Sequence, residues 1–394
     1  MRTALLAWDY PPAPSGLSTA AREIAESLSE AGADATVFTL DRAGRERVGG
    51  VSVVGLALPP GGALARLRRW GSAGHLAAPL AFRRAVLVAH AANPFDVIEA
   101  TNWYAPAVLL AGRRDLPLVT RSSTPAAFTR DPAVTLRDRL DGGTADRLER
   151  RQVRGSAGLI ANMPEHGAVI ARTYRLSGRQ PEAVVGLSLP PEMAARARDA
   201  PYPQAEVPVR LLFVGRAETR KGFDLLLGAT AILGAEQARG ALPPFVLDLV
   251  GVPPDDLPAD LSESARTRLV AHGRIDALAL ARAYAAAHAV LAPSRYESFG
   301  LVYQEALAYG RPVVACAQDA SARAVVGAPG AGPLAEAATG PALADALRPL
   351  LRDPALRRAY RKRALAAAGR FSRASLGRET LALYEQAISG SRRA

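Results

Sequence analysis

Apolar residues along this chain gather into short unbroken runs, each closed by a proline, a glycine or a polar turn. Many of these runs lead into segments whose apolar positions recur at helical spacing. Thr3 to Trp8 is the first, read as a buried strand. The turn DYPPAPSG follows, then the predicted helix LSTAAREIAESLSEAG, with Ser18 as N-cap and Gly32 as its stop. ADATVFTL is the next strand, and VSVVGL is another inside a glycine-punctuated loop from Arg42 to Pro60. PFDVIEATNWYAP and DLPLVTRSSTP each hold a strand and its C-terminal loop, and SAGLIANMPEHGAVIARTYRL holds a strand and a helix. ALARLRRWGSAGHLAAPLAFRRAVLVAHA sets Arg pairs among apolar residues and predicts two amphipathic surface helices, with a membrane-surface or acceptor-facing role as the alternative. Leu136 to Gly155 reads as a strongly charged helix with a solvated face.

A repeated β-loop-α-β order of this kind opens Rossmann-like domains, and ligands of open parallel sheets bind beyond the carboxyl ends of the strands. Glu99, Thr101, Asn102 and Trp103 are therefore expected to border a cleft. No G-x-G-x-x-G stands in the first loop, so a nicotinamide cofactor is poorly supported. Proline-rich RDAPYPQAEVP reads as a linker, and VRLLFVG restarts the strand pattern after it.

The most informative stretch runs from His288 to Cys316, HAVLAPSRYESFGLVYQEALAYGRPVVAC, which reads strand, tight loop, helix, strand. A loop entering a helix presents free backbone N–H groups to an anion, here those of Ser298, Phe299, Gly300 and Leu301. Glu297 sits in the loop and Glu305 about two turns into the helix. Carboxylates repel phosphate but accept paired O–H bonds, so sugar hydroxyls are their natural partners.

PSRYESFGLVYQEALAYGRPVVA resembles the E-x7-E segment of the family 4 glycosyltransferases of the GT-B fold. The resemblance implies an α/β protein of two Rossmann-like domains facing across a cleft. It makes Glu297 a contact of the donor sugar and Glu305 the holder of the nucleotide ribose. VGRAETRKG resembles the family's G-R-x4-K-G signature, which assigns Arg216 and Lys221 to the donor's pyrophosphate. The H-G-R turn implies that the backbone near Arg274 and Ile275 meets the nucleotide base. Gly16 matches the glycine-rich first loop and is the candidate for close approach to a donor phosphate, although Ser15-Gly16 replaces a paired glycine. Histidines common in the family at the positions of Glu99 and Thr101 are absent, as are its Asn-Gly near EAVVGLSLPPEM and its G-x-G turn, replaced by GVPPDDLP. Where the family usually carries a His near C6 of a hexose donor, this chain has Ser122 or Ser123. A roomier pocket is expected there, for a sugar altered at C6 or for the acceptor itself. The acceptor-binding candidates are Glu99, Asn102, Trp103, Ser122 and Ser123.

At 394 residues the chain accommodates two domains. The expected division is 1–188 for an acceptor-binding domain, 189–208 for a linker and 209–371 for a nucleotide-sugar domain. Residues 372–394 are expected to form a helix crossing back to the first domain. The net charge of +12 comes almost wholly from Arg, with Lys221 and Lys362 as the lysines. No basic tail or aromatic-basic motif accompanies it, which argues against nucleic acid and leaves an anionic small molecule, or weak peripheral membrane contact. Cys316 alone forms no internal disulfide and, with no signal-like or spanning segment, a cytoplasmic protein is expected.

The expected function is a retaining hexosyl- or pentosyltransferase. The donor is a nucleotide-diphosphate sugar, UDP before GDP, and the acceptor an unidentified hydroxyl on a natural product, polysaccharide or lipid. A sugar-nucleotide epimerase and a non-catalytic nucleotide-sugar-binding protein on the same fold stay open as alternatives. With no D-x-D triplet and no metal-ligand spacing, metal-independent transfer without a cofactor is expected.

Overall fold

The continuous apolar runs become strands buried on both faces, as a parallel sheet between helical layers requires. The computed structural model describes every residue except Pro14, Pro59, Pro60, Arg68, Arg69, Trp70, Asp131, Arg179 and Ala394. Pro14 of the first turn and the Arg68–Trp70 part of the Arg-paired stretch thus lie outside the described residues. The chain divides into two compact units, Met1–Ser188 with Phe371–Ala394, and Leu189–Arg370.

The first unit carries β1 (Arg2–Ala7), β2 (Asp34–Thr39), β3 (Ala43–Val48), β4 (Val51–Leu56), β5 (Val97–Thr101), β6 (Leu118–Arg121), β7 (Gly158–Ala161) and β8 (Glu182–Val184). They form one sheet in the order β3-β4-β2-β1-β5-β6-β7-β8. All neighbours are parallel except the β3–β4 hairpin. Strand β3 lies in what the sequence presents as loop. Its AGRERV has no apolar alternation because every residue is exposed on a charged sheet edge, and Gly49-Gly50, both with positive φ, make the two-residue turn.

The first helix is Gly16–Glu30 with Ser15, not Ser18, as its N-cap; the Ser15 hydroxyl accepts from the Ser18 N–H at 2.9 Å. Its buried Glu23 explains where the C-terminal helix Arg373–Arg393 goes. Arg373 donates to both Glu23 oxygens at 2.9 and 2.6 Å and pairs with Glu26 and Glu30, while Ser188 Oγ donates to Glu23 at 2.6 Å. Gly377 lies against the Ser27 carbonyl, where a Cβ would collide. The charged helix Leu136–Arg154 is only partly solvated: Glu149 and Gln152 are buried and bonded inside the unit.

The second unit carries β9 (Val209–Val214), β10 (Phe245–Val250), β11 (Leu269–Gly273), β12 (Ala289–Ala292), β13 (Val313–Cys316) and β14 (Leu334–Ala335), all parallel. Their order is β11-β10-β9-β12-β13-β14. Leu211, Leu212 and Phe213 are each at most 1 % exposed, so both faces of β9 are covered. Cys316 is buried in the same core. The segment 189–208 expected as linker contains a helix, Pro191–Arg198, ahead of most of the proline-rich RDAPYPQAEVP, and Pro191 at its first turn is pre-set for it. Among the described residues no helix is long and apolar enough to cross a membrane.

Candidate active site

In the second unit the chain runs from β9 outward to β11, then returns to place β12 on the other side of β9. The loops after β9 and β12 therefore diverge from a topological switch point, the usual ligand position in an open parallel sheet. Lys221 comes from the first loop and Glu297 from the second. Lys221 Nζ donates to Glu297 Oε1 at 2.6 Å, Ser294 Oγ reaches the same oxygen at 2.8 Å, and Arg220 Nη1 stands 3.5 Å from it. Burial pushes the Glu297 pKa up, but the Lys221 and Arg220 charges and the two hydrogen bonds outweigh it and hold it below the ordinary value. Glu297 is thus an ionised carboxylate in a buried place.

Two glycines allow the loops to meet. Gly222 (φ 72°) and Gly300 (φ 79°) both sit in the left-handed region, each immediately before a helix, Phe223–Ala238 and Leu301–Ala308. A Cβ on Gly222 would run into the Pro293 carbonyl, and one on Gly300 into the Tyr303 ring. Arg295 N donates to Arg220 O at 2.9 Å, and its guanidinium forks onto Asp224 at 2.7 Å twice. Asp319, after β13, fixes the other side of the Glu297 loop. It accepts from Glu297 N at 2.9 Å and Tyr303 OH at 2.8 Å, while Ser321 Oγ donates to Glu297 O at 2.9 Å. Burial and the Glu297 charge raise the Asp319 pKa to about 6.

Glu305 lies half-buried one helix turn beyond and accepts from Tyr284 OH at 2.6 Å. Burial raises its pKa, against the Tyr284 bond and the Lys221 charge. Ser298, Phe299, Gly300 and Leu301 form the loop end and first turn of the helix Leu301–Ala308. Arg216 is brought less close: it is exposed and pairs with Glu218 at 2.8 Å. Arg274 is exposed and Ile275 half-buried in the loop after β11, ahead of the helix Ala277–Ala286 that supplies Tyr284. Arg220, Ser294, Asp319 and Tyr284 escaped the sequence reading. The signals available for them were only a serine three residues before Glu297 and an acid just past the β13 run.

Acceptor candidates in the first unit divide sharply. Glu99 is 1 % exposed and fully engaged, accepting from Arg121 Nε at 2.8 Å and Tyr384 OH at 2.7 Å. Strand alternation is the reason: Ile98 and Ala100 face one layer, and Glu99 the opposite one, under the C-terminal helix. Buried Asn102 is likewise taken up, donating to Tyr174 OH at 2.9 Å and accepting from Ser123 N at 2.6 Å. Ser122 is 2 % exposed, with its carbonyl facing Asn162 and His166, and Ser123 Oγ is bonded to Thr101 Oγ1 at 2.7 Å. Glu99, Asn102 and Ser122 are therefore internal supports rather than surface contacts. Trp103 lines an open hollow, and Ser123 is half-buried. Gly16 is exposed at the first helical position, with ordinary φ and nothing within 4 Å of an added Cβ. Burial lowers the His166 pKa to about 4, which keeps that ring neutral.

Comparison with known proteins identifies the family and agrees with the fold. Residues 15–185 match the family described as glycosyl transferase 4-like domain, and residues 208–353 that described as glycosyl transferases group 1. The D-inositol 3-phosphate glycosyltransferase of Kineococcus radiotolerans is 33% identical over 95% of this chain and 91% of the relative. The sucrose-phosphate synthase of Thermosynechococcus elongatus superposes with a TM-score of 0.74 at 23% identity, over 98% of this chain and 99% of its own. An Anabaena protein solved with UDP and glucose gives 0.65 at 19% identity, over 98% and 99%. With both units matched and the parallel sheets in place, the chain belongs to the family 4 glycosyltransferases of the GT-B fold and is a glycosyltransferase.

Proposed function

We propose that this glycosyltransferase moves a sugar from a nucleotide-diphosphate donor, UDP before GDP, to an acceptor hydroxyl with retention and without a divalent metal. The observation that carries the reading is the Lys221–Glu297 pair at the β9/β12 switch point, beside helices begun at Gly222 and Gly300. As the glycosidic bond breaks, negative charge grows on the leaving diphosphate. Lys221, Arg216 and the N–H groups from Ser298 to Leu301 meet that charge electrostatically, which is the task a metal performs elsewhere. Lys221 contacts Glu297 and, in the donor complex, turns to the diphosphate. Glu297 keeps Ser294 and Arg220 as partners, stays ionised and accepts hydroxyls of the donor sugar.

Glu305, steadied by Tyr284, takes the ribose hydroxyls, and the backbone at Arg274 and Ile275 takes the base. Gly16, at the first position of the first helix, is the candidate there for close approach to a phosphate. The complex of the Anabaena neighbour with UDP and glucose supports UDP as the first choice. Attack comes from the face the diphosphate leaves, and the leaving oxygen takes the acceptor proton. No carboxylate nucleophile is assigned to the opposite face. The enzyme acts in the cytoplasm, where the single Cys316 stays reduced.

The test supplies UDP-glucose or GDP-mannose with an acceptor panel and follows nucleoside diphosphate release and product configuration by NMR. Retained anomeric configuration and undiminished turnover in EDTA are expected. An inverted product, or activity abolished by EDTA and restored by Mn²⁺ or Mg²⁺, overturns the reading.

A further inference from the structure

The first unit has its own switch point, between β1 and β5, and a hollow of about 640 Å³ opens there. That volume lies in the range of small-molecule sites. Its walls are largely rings. Trp8 follows β1 and Trp103 follows β5, and the Trp8 indole N–H donates to the Trp103 carbonyl at 2.9 Å. The two indoles meet edge to face at 6.0 Å, Tyr104 stands 4.9 Å from Trp103, and His75 stacks on Tyr104 at 5.5 Å. Tyr104 and Ala105 both hold positive φ, 52° and 48°, unusual for residues with a Cβ. Buried Glu149 accepts the Tyr104 N–H at 2.8 Å, and Asn102 O accepts from Ala105 N at 2.7 Å, which hold the bend. Backbone strain is thus maintained at the segment that carries the aromatic wall.

Among the described residues, the acidic and guanidinium groups of the lining come from one helix, Leu136–Arg154: Arg137, Asp138 and Asp141, with the His75 imidazole beside Asp141. One Asp138 oxygen serves the helix cap at Thr135 N, and Asp141 Oδ1 stands 3.1 Å from His75 Nε2. Among these described groups two carboxylates stand against one guanidinium, a poor seat for a phosphate dianion. They suit hydroxyl groups, which donate to carboxylates, while the apolar face of a sugar or cyclitol ring packs on an indole.

We propose that this hollow binds the acceptor, and that the acceptor presents an uncharged polyhydroxylated ring there, not a phosphorylated one. The proposal rests on the transferase reading above and separates this chain from relatives named for D-inositol 3-phosphate. Trp103 supplies the stacking surface and Asp141 the hydroxyl contact that selects against phosphate.

The experiment titrates the full chain, by indole fluorescence and calorimetry, with myo-inositol, methyl α-D-glucopyranoside and maltose. D-inositol 3-phosphate and glucose 6-phosphate are the charged counterparts. UDP is titrated separately into each variant. At least one neutral ring is expected to bind ten-fold or more tightly than its phosphorylated counterpart, and Trp103→Ala and Asp141→Asn each to weaken it several-fold without changing UDP affinity. Tighter binding of the phosphorylated rings, no binding of any neutral ring, or indifference to both substitutions overturns the proposal. Failure of UDP to bind the wild-type chain counts against the donor reading instead, so the two failures are distinguishable.

Discussion

Lys221 and Glu297 lie 76 residues apart, yet Lys221 Nζ and Glu297 Oε1 are 2.6 Å from each other. The distance follows from topology: β9 and β12 are neighbours, paired in register from Ala289 with Leu211 to Leu291 with Phe213, so the loops leaving them share one edge of the sheet. Gly222 packed on Pro293 then removes the remaining freedom. The pair is a buried carboxylate held ionised by the Lys221 ammonium, with the Arg220 guanidinium beside it.

Lys221→Ala is expected to slow the chemical step more than it weakens donor binding, because its contact strengthens as charge develops on the leaving group. Loss of one such donor costs roughly 100- to 1,000-fold in rate. Glu305→Ala does the reverse, raising the donor's dissociation constant through lost ribose bonds. Single-turnover rates at saturating donor, with Kd from calorimetry, separate the two. Normal turnover of Lys221→Ala removes the phosphate role.

Gly222→Ala places a methyl against the Pro293 carbonyl in a backbone region that L-residues avoid. A stability loss of about 1–3 kcal/mol is expected in urea denaturation. Gly16→Ala is the contrast: with ordinary φ and open space, stability holds or rises slightly, while diphosphate affinity drops if a donor phosphate approaches that backbone. Equal stability of Gly222→Ala and wild type contradicts the geometry.

Glu149 is expected to make stability pH-dependent. Burial raises its pKa to about 7, against bonds from Tyr174, Tyr104 and Ala126, with the Asp146 charge adding to the rise. In the unfolded chain it titrates near its ordinary 4.5, so between about pH 4.5 and 7 the native state holds more protons. Stability from this group is complete below that window and is lost as pH rises through it. Glu149→Gln imitates the protonated form, so the stability of wild type relative to this variant should fall from pH 4.5 to 7 in denaturant titrations. A constant difference across that range rules the titration out.

In the second unit the strand-loop-helix pattern around Lys221 and Glu297 was legible because its loops speak locally. Lys221 and Gly222 sit at a strand-to-helix junction in a chain with two lysines, and Glu297 and Glu305 bracket a helix start. The first unit was harder to read. Glu99 at the end of a strand looks like a cleft residue until the C-terminal helix, almost 300 positions away, brings Tyr384 onto it. Asp319 has no local motif; only the pairing of β12 with β13 carries it to the Glu297 loop. Strand β3 was invisible because an exposed edge needs no apolar residues. Long-range partnership, not propensity, decided Glu99 and Asp319.

The central claim is that the second unit holds the donor nucleotide at Lys221 and Glu305. Thermal unfolding of wild type, Lys221→Ala and Glu305→Ala with UDP, GDP and ADP tests it most directly, since a ligand at 100 times its Kd stabilises the native state by about 2.7 kcal/mol. The account predicts a rise in Tm for wild type with UDP, a smaller rise with Lys221→Ala, and the smallest with Glu305→Ala at equal concentration. No shift with any nucleoside diphosphate, or equal shifts in all three proteins, would contradict it.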